Sequence, residues 1–169
     1  MEKKKIFMAQ PNFNKKEKRE IKVGIEKILN SKLSMGENVE RLQKEFCNLL
    51  KVKYCYAMNA CTSALECAVR SISTNPKDEF IIPSQTFIAT AMAVHLSGAK
   101  PVFAEISKKD FCIDIDDIKR KITKKTKGII LVHFLGLITE QIEEIVELCR
   151  KKKIYLIEDC AHGPGSIFK

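Results

Sequence analysis

Near its C-terminus the chain runs Ile154-Tyr155-Leu156-Ile157-Glu158-Asp159-Cys160-Ala161-His162-Gly163, an apolar strand ending in two carboxylates with a histidine close behind. In open α/β sheets ligands gather outside the carboxyl ends of the strands. An acid placed there is a site candidate before it is a surface charge. Adjacent residues of an extended strand point to opposite faces, so only one of Glu158 and Asp159 reaches a given ligand. A like-charge carboxylate dyad is therefore disfavoured.

Three further segments carry chemistry of the same kind. Asn59-Ala60-Cys61-Thr62-Ser63-Ala64-Leu65 puts small and hydroxylated residues where a strand-like run gives way to a helix. Free backbone N–H groups at such a helix start bind anions, although Thr-Ser there also reads simply as an N-cap. Neither GxxxxGK[ST] nor GxGxxG is present. In Ile82-Pro83-Ser84-Gln85-Thr86-Phe87-Ile88, a strand ends at proline and the next helix presents Phe87, either as a stacking aromatic or as a core residue. Val132-His133-Phe134-Leu135-Gly136 is another strand and turn; His133, a lone histidine at a strand end, reads as structural. A single acid at a strand end can keep a pyridinium nitrogen protonated, as a pyridoxal cofactor requires to act as an electron sink.

The elements that must position these groups follow from periodicity. Ile21, Ile25, Ile28 and Leu29 mark a helix over 15–33, and Val39, Leu42, Phe46, Leu49 and Leu50 another over 37–50. Apolar runs at 54–58, 80–82, 101–106, 128–132 and 154–157 read as strands. Helical stretches near 62–73, 86–97, 114–122 and 139–151 separate them, the last capped by Thr139. Continuous apolar strands between helices predict an α/β fold: three layers, with a mostly parallel sheet covered by helices on both faces. No linker or internal repeat interrupts the pattern, so a single domain is expected.

Composition bounds the function. The chain has 169 residues, 45% hydrophobic and 30% charged, with a net charge of +9. Its lysines are scattered among glutamates, as at Lys151-Lys152-Lys153, and make no aromatic-interleaved stripe, so nucleic acid is not expected as a partner. A basic surface still favours an anionic substrate. The start Met1-Glu2-Lys3-Lys4-Lys5-Ile6 has no apolar signal region, and no run approaches the roughly 18 apolar residues of a membrane span. A cytoplasmic location without membrane partners is expected. Seven cysteines without CxxC spacing read as reduced thiols rather than a disulfide frame or a metal site.

Taken in order, "NACTSALECAV", "IIPSQTFIATAMAVHLSGAKPVFAEI", "IDIDDIKRKITKKTKGIILVHFLG" and "IYLIEDCAHGPGS" resemble the N-terminal part of the DegT/DnrJ/StrS-type, pyridoxal 5'-phosphate (PLP)-dependent nucleotide-sugar aminotransferases. The upstream "ILNSKLSMGENVERLQKEFCNLLKVKY" matches the helices that lead into that fold. The resemblance covers the chain from about Gln10 onward, as the N-terminal part of a PLP-binding large domain.

The resemblance implies a role for each position. Cys61 and Thr62 would hold the cofactor phosphate with Ala60 alongside, Phe87 would stack on its ring, Asp159 would pair with the pyridine nitrogen, and His162 would lie near the phenolic oxygen. Cys61 stands where many members have glycine, which would weaken phosphate binding if its backbone required a positive φ. The implied activity moves an amino group, from glutamate by family habit, to a nucleotide-linked keto-sugar for surface-glycan synthesis, within a homodimer. The family's Schiff-base lysine belongs to a later segment, and Lys169 does not have its context. The catalytic lysine and the small C-terminal domain are thus expected to be absent, leaving this chain inactive by itself. A sugar dehydratase of the same family, a fragment acting only with a partner, and a Rossmann-like nucleotide binder are the alternatives.

Overall fold

Five-residue stretches such as Glu79-Phe80-Ile81-Ile82-Pro83 are too short and too apolar to lie on a surface, and all five of these residues are buried. In the computed structural model, which describes residues 11–168, they form the strand β1 (Glu79–Pro83) of a parallel sheet. The others are β2 (Lys100–Ala104), β3 (Thr126–Val132) and β4 (Tyr155–Asp159). The strand order is β2-β1-β3-β4. Between β3 and β4 the register runs from Gly128 opposite Tyr155 to Val132 opposite Asp159.

The chain divides into two compact units, one ending at Ala57 and the other beginning at Met58. The first contains α1 (Lys15–Leu29) and α2 (Glu37–Leu50). A reciprocal capping box starts α1: the Asn14 side chain accepts from the Glu17 N–H, and Glu17 accepts from the Asn14 N–H. The predicted helix over 15–33 stops at Leu29, where Asn30 caps it. Neither helix has a buried residue.

The second unit holds the sheet. Alternation along each strand sends one set of side chains to each face. Phe80, Ile82, Ile130 and Val132 meet Leu65 and Val69 of α3 (Cys61–Ile72) and Ala91, Ala93 and Val94 of α4 (Ile88–Leu96). Ile81, Ile129 and Leu131 meet Ile115 and Ile118 of α5 (Ile115–Lys121) and Ile145 and Cys149 of α6 (Ile142–Lys152). Each fully buried side chain of this size contributes roughly 1.5–3 kcal/mol. Gly128 has no side chain because a Cβ there would come within 2.8 Å of the Phe80 ring. The expected three-layer α/β architecture is the one observed.

Asp117 braces the α5 side. Its buried carboxylate accepts from the Glu105 N–H at 2.7 Å and pairs with Arg120 and Lys121, each at 2.9 Å. Burial alone would raise its pKa, but these donors outweigh burial and hold it at about 2.

Three sequence expectations need correction. Residues 54–58 form no strand: Tyr54 and Tyr56 are exposed, and the run has no pairing partner in the sheet. Residue 87 is the extended N-cap of α4, so that helix starts at Ile88 rather than 86. Gln141, not Thr139, is the N-cap of α6; the buried Thr139 hydroxyl instead accepts from the Gln141 N–H. Among the described residues no helix is long and apolar enough to cross a membrane.

Candidate functional site

The carboxyl ends of β1, β3 and β4 open toward the starts of α3 and α4, and a cavity of about 170 Å³ lies there. Cys61 and Thr62 contribute to it from α3, Phe87 from the start of α4, Asp159 from the end of β4, and His162 from the turn beyond. Five of the six residues singled out from sequence therefore share one cavity. Ala60 does not line it. Ala60 is instead the N-cap of α3, with an extended backbone and no side-chain hydrogen bond.

That bare cap matters. The first N–H groups of a helix have no intrahelical acceptors, and neither Thr62 nor Ser63 serves as the N-cap. The positive end of α3 is therefore open to an anion, with the Thr62 hydroxyl beside it. Cys61 is the first helical residue and is not among the positive-φ positions. The backbone strain that a glycine would relieve is absent there.

Asp159 is 7% exposed. Its Oδ1 accepts from the Ala161 N–H at 3.1 Å and from the Cys61 thiol at 3.5 Å. Burial first, and then the charge and hydrogen bond of Asp159, push the Cys61 thiol up to about 11, so it stays protonated at neutral pH and acts as a donor.

His162 is oriented by the turn after β3. Leu135 takes a positive φ of 54°, and its N–H donates to His162 Nδ1 at 3.3 Å. In the neutral ring an accepting Nδ1 leaves the proton on Nε2, which is then the available donor. A Cβ on Gly136, where φ is +81°, would come within 3.0 Å of the His162 carbonyl oxygen, so this turn requires glycine.

Phe87 is 71% exposed at the cavity rim, which removes the core reading of that residue. An aromatic face left open suits a planar ring. Sequence reasoning missed Thr86 and Thr90, whose hydroxyls lie 2.9 Å apart on the cavity wall, with Thr90 buried. Their i,i+4 spacing was the available signal. The apolar wall of Leu65, Val132 and Phe134 was also missed, with Phe134 packed edge-on against His162.

Glu158 turns to the opposite face. Its Oε2 lies 2.9 Å from Nε2 of buried His133, which does not line the cavity. The neighbouring Cys160 side chain and then Glu158 lift the imidazole pKa to about 9 against the effect of burial. The Cys160 contact lacks good hydrogen-bond geometry: buried His133 Nδ1 has no hydrogen-bond partner. The Glu158 pair is the firmer contribution. His133 in turn holds the Glu158 carboxyl below its ordinary pKa.

Comparison with known proteins agrees with this geometry. The family model of the DegT/DnrJ/EryC1/StrS aminotransferases matches residues 15–169. A GDP-perosamine synthase of Vibrio cholerae is 38% identical over 133 residues, 79% of this chain and 36% of that protein. The chain spans about two fifths of the length of the curated relatives it matches. Helicobacter pylori PseC, an aminotransferase involved in the biosynthesis of pseudoaminic acid, superposes with a TM-score of 0.87 at 31% identity, over 98% of this chain and 44% of that one. The structure of ntda from Bacillus subtilis with bound cofactor pmp superposes with a TM-score of 0.79 at 30% identity, over 87% and 34% respectively. A family match that runs from residue 15 to residue 169 shows that this chain belongs to the DegT/DnrJ/EryC1/StrS aminotransferase family.

Proposed function

We propose that this chain provides the cofactor-binding segment of an aminotransferase that uses PLP to move an amino group from an amino acid to a nucleotide-linked keto-sugar. One observation carries the reading: the bare N-terminus of α3, the Asp159 carboxylate, the open Phe87 ring and the His162 donor border a single cavity. The donor set fits the cofactor end to end, with cation-like N–H groups for a phosphate, an acid for a pyridine nitrogen and an aromatic for the ring face.

In this reading the Cys61 and Thr62 N–H groups and the Thr62 hydroxyl hold the phosphate. Asp159 keeps the ring nitrogen protonated. Phe87 covers one face of the ring and excludes water, and Nε2 of His162 donates to the phenolic oxygen. When bound, PLP supplies the electron sink that lets an amino group pass between two carbon skeletons. Glutamate as donor, a homodimeric assembly and a cytoplasmic setting complete the proposal. The sugar-nucleotide class is supported by the kinship with GDP-perosamine synthase and by the basic surface.

The test is direct. Purified whole gene product is incubated with PLP, glutamate and a panel of nucleotide-linked keto-sugars, and products are read by mass spectrometry. An amino-sugar nucleotide and 2-oxoglutarate are expected in equal amounts. Folded protein that takes up no PLP would overturn the reading.

A further inference from the structure

Two donors from different elements converge on one oxygen of Asp159: the Ala161 N–H from the turn after β4 and the Cys61 thiol from the first position of α3. Oδ2 accepts from none of the described residues and is not among the buried unpartnered atoms, so it is the oxygen left for a ligand. We propose that Cys61 is a positioning residue: its thiol fixes the plane of the Asp159 carboxylate so that Oδ2 meets the pyridine nitrogen, and ties that acid to the phosphate-holding end of the site. The proposal rests on the cofactor reading above and deepens it.

A carboxylate held by one backbone donor can still rotate about its Cβ–Cγ bond, whereas a second donor on a separate element fixes its plane. The 3.5 Å contact is of ordinary length for a sulfur donor. A thiolate would repel Asp159, but burial and Asp159 itself keep the thiol protonated. Because Cys61 also begins α3, its backbone N–H sits at the anion-binding end while its side chain reaches the acid. One residue thus spans both ends of the cavity.

Two measurements test this. PLP affinity of the whole gene product, by fluorescence titration, should fall about threefold to tenfold in Cys61→Ala. In that variant the ring nitrogen of bound 15N-labelled cofactor should also lose its proton at a lower pH. A merely structural role would change affinity without moving that titration. In cofactor-free protein, the pH midpoint for alkylation of Cys61, followed by peptide mass spectrometry, should drop in Asp159→Asn because the anion that holds the proton is gone. If wild type binds PLP and Cys61→Ala binds it equally with the nitrogen titration unmoved, the positioning role is wrong and the cofactor reading stands. An alkylation midpoint unchanged in Asp159→Asn removes the Cys61–Asp159 contact and overturns the role as well. If folded wild type binds no PLP, both fall.

Discussion

Asp159 and Glu158 are neighbours in sequence and opposites in circumstance. On the α3/α4 side of the sheet, Asp159 has one oxygen committed to protein donors and the other free beside a cavity. On the α5/α6 side, Glu158 pairs with His133 through Oε2 and is otherwise half-exposed away from the cavity, while Asp117 of α5 is saturated by a backbone N–H and two cations. The difference teaches how to separate a working acid from a structural one. Both kinds are held by donors, and only the first retains an unspent oxygen in a ligand-sized space.

Substitutions that treat the two sides alike would break this contrast. In the whole gene product, Asp159→Asn should lower turnover on the order of 100-fold, since the amide cannot hold a pyridinium proton, while circular dichroism keeps its wild-type form. Glu158→Gln should leave turnover within about twofold. Equal losses in the two variants would end the distinction.

Next in size is Asp117→Ala, which removes the buried acceptor of the Glu105 N–H and the partner of Arg120 and Lys121, and should reduce unfolding free energy by about 1–3 kcal/mol in urea titrations without changing PLP affinity. Because the Asp117 carboxyl is held at about 2 in the folded chain, its stabilisation is present above the ordinary value near 3.8 and disappears as pH falls toward 2. The wild-type stability curve should show that loss, and Asp117→Ala should not.

The smallest effect belongs to His133. Its folded pKa of about 9 lies above the ordinary 6.5, so the ion pair stabilises fully below pH 6.5 and is lost as pH rises through 9. Discounting for the half-exposed carboxylate, about 1 kcal/mol should vanish over that range in wild type. Glu158→Gln should flatten the curve, as followed by thermal melts at pH 6, 7.5 and 9.

Much of this arrangement was legible in the chain. Strands rich in Ile and Val between amphipathic helices leave few alternatives to a covered parallel sheet, and four of the five apolar runs became strands. The fifth, 54–58, is apolar but holds no Ile or Val, and it finds no partner in the sheet. Asp159 was readable because a strand end is a privileged position. The Leu135 N–H on His162 was not, because it depends on turn geometry that brings distant backbone into reach. The exposure of Phe87 was also hidden, since an aromatic at the start of a helix ordinarily turns inward.

The β3–β4 register acts as the address of the acid. With Val132 opposite Asp159, side-chain alternation delivers Asp159 to the cavity and Glu158 to His133. A shift of one residue would exchange the two faces entirely, presenting Glu158 to the cavity and driving Asp159 toward the histidine. A single-residue insertion or deletion within β4 is therefore not a small perturbation of the site but an inversion of it. Sequence drift can change the side chains along this strand one at a time, yet it can move the strand itself only in steps of two.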